Sequence, residues 1–349
     1  MKRLSRQILL ATALAFSAWT DGAAAQGTVG AADWAAYKDR FLAAEGRIVD
    51  DANGDISHSE GQGYGMLLAY LADSRADFDR IWAFTRAELL LRDDGLVMWK
   101  WDPAATPHVT DTNNASDGDL LIAYALTLAG EAWSRRDLTA AAVSLGRAIM
   151  RSNVRTVGGR LVLMPAATGF DAKDRPDGPV INLSYWVFEA FPALAQLLPE
   201  HQWAKLSNDG LDLLEQTLFG KSGLPPDWTS LKEDLLPARG FAPEFGYNAL
   251  RIPLYLVRAG NRDAELLGAF SSGITGPDGA LKLVDIPSGA QKAALSDPGY
   301  RAIPAALACV VGKTPLPDDL KTFQPTQYYP STLHLLTLSF LRSRYPDCL

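Results

Sequence analysis

Ser59-Glu60-Gly61-Gln62-Gly63-Tyr64-Gly65-Met66-Leu67-Leu68-Ala69-Tyr70-Leu71 sets one acid ahead of three alternate glycines and then runs into apolar residues. Met66 and Tyr70, with Leu67 and Leu71, recur at helical spacing, so the stretch reads as a helix with Glu60 near its N-terminus. Glycine at every second position leaves the backbone open to a close ligand and lets Glu60 project without crowding. Burial of that carboxyl among apolar groups raises its pKa toward the range of a general acid. A plainer reading competes: Ser57 or Ser59 as N-cap, with an acid in the first turn, is an ordinary helix start. A dinucleotide loop fits poorly, because the glycine spacing is wrong and no buried strand precedes it.

Outward from this stretch, apolar residues recur at helical period over 33–44, 62–72, 77–91, 117–133, 138–152, 182–198, 201–218, 244–259, 263–272, 299–310 and 328–343. Asn114-Ala115-Ser116-Asp117 opens one run, Gly130 lies near its end, and Ala259-Gly260 closes another. Strand-like alternation is scarce, with Arg160 to Leu163 the best short candidate. About eleven or twelve helices joined by alternately short and long connections predict an all-α fold of stacked hairpins. Periodicity alone leaves a closed α/α toroid and an open solenoid equally allowed. The long connections, 92–116, 153–181 and 219–243, carry Trp, Asp and Pro and form the expected functional rim.

Residues 1–25 read as a secretory signal: Lys2, Arg3 and Arg6 lead, an apolar stretch follows from Ile8 to about Ala18, and Ala23-Ala24-Ala25 precedes Gln26. The expected product is an exported protein, periplasmic or secreted, with residues 26–349 as one domain, since no linker or charge block divides them. No later segment is apolar enough to span a bilayer. Taking Lys2, Arg3 and Arg6 from the 33 basic residues and Asp21 from the 40 acidic ones moves the net charge from −7 to −9. That acidity argues against nucleic acid and anionic membranes and is compatible with a neutral polymer. Cys309 and Cys348 are the only cysteines, and in an exported chain they are free to bridge or not. The four histidines, His58, His108, His201 and His334, stand singly without metal-ligand spacing, so no metal site is expected.

A second acidic cluster, Asp111 followed by Ala115-Ser116-Asp117-Gly118-Asp119, opens the helix carrying Ile122, Ala123, Leu126 and Trp133. Ser116 or Asp117 can serve simply as its cap, yet Gly118 again leaves bare backbone beside an acid. Two carboxyls facing over a cleft suit glycosidic cleavage, one protonating the leaving oxygen while the other activates water or attacks the sugar. Trp99, Trp101, Tyr185-Trp186, Trp228 and Tyr328-Tyr329, in or beside the long loops, can stack on sugar rings or pack in the core.

Ser59 to Met66, Ala115 to Asp119 with Ala123 and Trp133, Pro226-Asp227-Trp228, and Tyr247-Asn248-Ala249-Leu250-Arg251-Ile252-Pro253, in that order, resemble glycoside hydrolase family 8. The resemblance runs from about Trp34 to Leu341 and looks most like the bacterial endo-β-1,4-glucanases associated with cellulose synthesis. It implies an (α/α)6 barrel, inverting endo-hydrolysis of a β-1,4-glucan in a cleft across the barrel mouth, no cofactor, a monomer, and a cellulose synthase complex as a possible partner. On the same footing, Glu60 matches the general acid and Asp117 the acid of the second motif. Tyr64, Tyr247, Asn248 and Arg251 join the loop aromatics as substrate-binding residues. Many members place an aspartate, taken as the base, where this chain has Asn248, and on this reading a neutral amide holds a water but does not accept its proton. Asp117 is then the first candidate for the base and Glu244, one helical turn before Asn248, the second. Inversion needs the working carboxyls roughly 6.5–9.5 Å apart. Chitosan or xylan as substrate, and glucan binding with weak hydrolysis, are the competing readings.

Overall fold

A computed structural model describes residues 26–349, so the expected signal at 1–25 lies outside the described residues. Twelve α-helices carry the fold among the described residues. They are α1 (Ala31–Phe41), α2 (Ser59–Leu71), α3 (Arg75–Glu88), α4 (Ser116–Ala132), α5 (Arg136–Ser152) and α6 (Ala190–Leu197). The second half holds α7 (Trp203–Gln216), α8 (Ile252–Arg258), α9 (Ala264–Ile274), α10 (Pro298–Gly312), α11 (Asp318–Lys321) and α12 (Tyr328–Arg344).

Even-numbered helices form an inner ring: α2 packs on α4, α4 on α6, α8 on α10, α10 on α12, and α12 back on α2. Between α6 and α8 the ring closes through a buried ion pair. Arg258 Nε and Nη2 donate to Glu189 Oε1 and Oε2 at 2.6 and 2.8 Å, and Arg258 Nη1 donates to the Leu336 carbonyl at 2.8 Å. Odd-numbered helices lie outside, α1 against α12, α3 against α2, α5 against α4, α7 against α6, and α9 against α10. The result is an (α/α)6 barrel, and it settles the choice between toroid and solenoid.

Sequence patterning accounts for the two layers. α5 buries only Leu138, Ala142, Leu145, Gly146, Ala148 and Ile149, one stripe of an amphipathic helix. In α2 every residue except Glu60 is buried, and α4 is buried from Ser116 through Gly130, as helices surrounded on all sides require. Most buried apolar side chains join one continuous core.

Several local expectations need correction. His58, not Ser57 or Ser59, caps α2, accepting the Gly61 N–H on Nδ1 at 2.9 Å. Neither Ser116 nor Asp117 caps α4; its N-cap is Ala115, and Asp117 Oδ1 instead accepts the Gly118 N–H at 2.8 Å. Helical periodicity over 182–198 resolves into a 3-10 turn, Leu183–Tyr185, followed by α6. The run 244–259 opens as a strand, Glu244–Phe245, and becomes helical only through Ala249–Arg251 into α8. Arg160–Leu163 is a strand, paired antiparallel with Val154–Val157 across Gly158-Gly159, both at positive φ (56° and 82°). A second hairpin, Leu281–Asp285 with Gln291–Leu295, adds Glu244–Phe245 as its third strand.

Candidate active site

The N-termini of α2 and α4 meet at one end of the ring. A Cβ on Gly118 would stand 2.1 Å from Ser59 Oγ and 2.7 Å from the Glu60 nitrogen, and one on Gly63 would stand 2.5 Å from Leu121 Cβ. The bare backbone predicted to face a ligand is therefore pressed against the neighbouring helix, and this contact sets Glu60 and Asp117 side by side.

Arg251 joins them from the 3-10 turn before α8. Its Nη1 donates to Glu60 Oε2 at 2.7 Å, its Nη2 to Asp117 Oδ2 at 2.6 Å, and its Nε to the Ser184 carbonyl at 3.2 Å. The guanidinium is 2% exposed, and the Tyr185 ring centroid lies 5.5 Å from it. Three directed bonds hold this cation in the barrel mouth, and its two Nη nitrogens draw both carboxyls onto one guanidinium.

The two acids titrate differently. Burial pushes the Glu60 carboxyl up, but the charges of Arg251 and His58 outweigh it and hold the group below its ordinary value. Burial dominates at Asp117 and, with the Glu60 charge, raises it to about 6 against the pull of Arg251. Two acids on one guanidinium behave as a pair that retains a single proton to higher pH than either alone. Asp119, two residues further in the same first turn, is raised to about 7 by burial; it anchors the chain by accepting the Val97 N–H at 2.8 Å and Asn114 Nδ2 at 2.7 Å.

Glu60 opens onto a cleft of about 490 Å³ that also takes in Asp50, His58, Tyr247, Asn248, Arg251, Tyr300, Tyr328 and Tyr329. Tyr247 is 53% exposed and packs edge-on against Tyr300, while Tyr329 Oη donates to the Tyr247 carbonyl at 3.0 Å. Tyr328 lines the cleft with its ring mostly buried against His58. The partly exposed Trp99 donates to Asp111 Oδ2 at 2.8 Å beside the α2 start, where its carbonyl accepts the Ser59 N–H.

Other expected sugar-binding rings serve packing. Trp101 is buried among Phe84, His108 and Arg47 and donates to Glu88. Tyr64 is fully buried, its hydroxyl paired with that of Tyr255. Half-buried Trp228 stacks with Phe170 and Phe241, at 5.3 and 4.5 Å between centroids, and abuts Tyr185.

Glu244 points elsewhere: its carboxylate pairs with Lys292. Asp117, the first candidate for the base, shares the Arg251 guanidinium with Glu60.

The family model described as "Glycosyl hydrolases family 8" matches residues 7–342. This chain belongs to glycosyl hydrolase family 8.

Among its relatives, an endoglucanase of Cellulomonas uda is 40% identical over 225 residues, covering 64% of this chain and 62% of that protein. A probable endoglucanase of Novacetimonas hansenii is 36% identical over 78% of this chain and 80% of its own length. The crystal structure of an endo-β-1,4-glucanase from an Achatina fulica gut metagenomic library superposes with a TM-score of 0.81 at 34% identity, covering 89% of this chain and 98% of that one.

Two residues of this family 8 hydrolase escaped the sequence reading. His58 sits between Gly61 and Asp50, its Nε2 3.4 Å from Asp50 Oδ2; burial lowers its pKa, but Asp50 and Glu60 more than reverse that and raise it. Asp227 lay in the Pro-Asp-Trp motif, where the neighbouring Trp drew the attention.

Proposed function

We propose that this family 8 hydrolase cuts β-1,4-glucan chains internally, with inversion and without a cofactor. Glu60 is the proton donor to the leaving oxygen. Asp117, raised by burial and by the Glu60 charge, keeps a proton on the carboxyl pair against the pull of Arg251 until substrate arrives. Tyr247, Tyr300 and Tyr329 present ring faces and hydroxyls to successive sugars, as neutral polysaccharides require. Residues 1–25 direct export, and the product acts as a monomer in the periplasm or outside the cell, alongside cellulose synthesis.

The observation that carries this reading is the buried Arg251 gripping Glu60 and Asp117 at the edge of an open groove. A carboxyl so placed has both a proton reservoir and access to a polymer, and the acid–base step contributes roughly 10²–10⁴-fold to rate. Carboxymethylcellulose should lose viscosity faster than reducing ends accumulate, and proton NMR of early cello-oligosaccharide products should show the α-anomer. No viscosity loss, or a β-anomer first, contradicts the reading. Asn248, a neutral group in the cleft, favours one alternative, a glucan-binding factor; cellulose binding without released ends from pH 4 to 8 identifies it. Chitosan and xylan complete the substrate panel.

A further inference from the structure

Asn248 lines the same cleft as Glu60, and its side chain is not free to turn. Asp227 sits behind it, 7% exposed, with both carboxylate oxygens engaged. Oδ1 accepts the Gly246 and Ala249 N–H groups at 2.9 and 2.8 Å; Oδ2 takes the Asn248 N–H at 3.4 Å and the Asn248 side-chain Nδ2 at 3.3 Å. A Cβ on Gly246 would lie 2.5 Å from Asp227 Oδ2, so only glycine lets the acid approach this closely. The backbone bonds alone describe an acid securing the start of the 3-10 turn. The side-chain bond adds something a cap does not need.

An ionised carboxylate only accepts, so the contact fixes the amide with Nδ2 toward Asp227 and leaves Oδ1 as the acceptor. Among the described residues no protein group donates to Asn248 Oδ1. The other acids near the cleft are committed elsewhere: Asp117 shares Arg251 with Glu60, Asp50 sits with His58 at the α2 start, and Glu244 pairs with Lys292.

We propose that Asn248, held by Asp227, receives the attacking water, and that the two residues together replace a single carboxylate base. This rests on the inverting hydrolysis proposed above. As the water oxygen bonds to the anomeric carbon, the glycosidic C–O bond breaks and Glu60 gives its proton to the leaving oxygen. One water proton passes to Asn248 Oδ1 while an Nδ2 proton passes to Asp227 Oδ2, leaving Asn248 briefly as its imidic acid. After product departs, Asp227 returns its proton to the nitrogen, Oδ1 releases one to solvent, and Glu60 regains one from solvent. Asn248 touches the water; Asp227 positions it and takes the proton passed through it. Burial raises the Asp227 carboxyl, its backbone donors only partly offsetting this, so the group is more basic than an exposed aspartate.

The test is an exchange of the two side chains. In Asp227→Asn the amide oxygen still accepts Gly246 and Ala249, but the new NH₂ faces Asn248 and turns its amide, presenting a donor to the water. The kcat should fall by about 100-fold, with KM within about threefold. In Asp227→Asn/Asn248→Asp the carboxylate at 248 accepts from the amide at 227 and faces the water, and kcat should recover to within about tenfold of wild type. Asn248→Ala, which leaves the Asp227 backbone bonds intact, should lose kcat while keeping its melting temperature. Melting curves establish that each variant is folded.

Asp227→Asn matching wild type, or a folded double variant no faster than Asp227→Asn, overturns the pair. The series is run on carboxymethylcellulose, xylan and chitosan. A wild type that cleaves only one of the latter two alters the substrate reading and leaves the exchange test in force; a wild type inactive on all three contradicts both.

Discussion

Arg251 gives one nitrogen to Glu60 and another to Asp117, so a single positive charge serves two acids, and their protonation is linked. The pair must carry one proton to protonate a leaving group. Because Asp117 is raised to about 6, that proton is bound below this pH and lost as pH rises through it, so kcat should decline above about pH 6. Asp117→Asn removes a negative charge beside Glu60, which Arg251 already holds low; the alkaline limb should then move to lower pH and kcat should drop. An unmoved limb means that Asp117 does not share the proton. Glu60 and Asp117 stood out in the sequence as acids at glycine-flanked helix starts, which local reading did not separate from ordinary caps and to which only the family resemblance attached roles. Asp227 did not, since its partners at Gly246, Asn248 and Ala249 are backbone and side-chain donors that only the folded chain brings together.

At the scale of elements, the glycines are the means by which α2 and α4 place two acids together. Gly118→Ala puts a methyl group into Ser59 Oγ and the Glu60 backbone, where little can yield. Overpacking of this kind costs about 1–3 kcal/mol. Thermal unfolding should register that loss, and kcat should fall further than stability alone explains, because Glu60 moves relative to Arg251. Wild-type activity and melting in Gly118→Ala contradict the close contact. Helical periodicity located the inner and outer helices well, since burial on one face or on all faces leaves its mark in sequence. It overran at 182–198 and 244–259, where apolar spacing continues but the chain bends to bring Tyr185, Asn248 and Arg251 to the mouth. The Gly158-Gly159 hairpin was half read: its second strand alternates, while Val154–Val157 begins directly at the end of α5 and merges with the helical pattern.

For the whole molecule, a ring of hairpins leaves the chain ends to be secured. Cys309 in α10 and Cys348 near the C-terminus are disulfide-bonded, and Cys348 accepts the Leu316 N–H on its carbonyl at 2.8 Å. Sequence alone left this pairing open because spacing does not show whether two cysteines meet. Closing a loop with a separation of 39 residues removes unfolded-state entropy worth roughly 3–4 kcal/mol. Cys309→Ser/Cys348→Ser should lower the melting temperature while leaving kcat at 25 °C unchanged, since neither residue lines the cleft; an unchanged melting temperature contradicts this. The central claim is that Glu60 supplies the proton for cleavage of a β-1,4-glucan. Its most direct measurement is reducing-end release from carboxymethylcellulose by Glu60→Gln, with circular dichroism to establish the fold: the expected rate is roughly 10²–10⁴-fold below wild type in an intact barrel, and a folded variant within a few-fold of wild type contradicts the account.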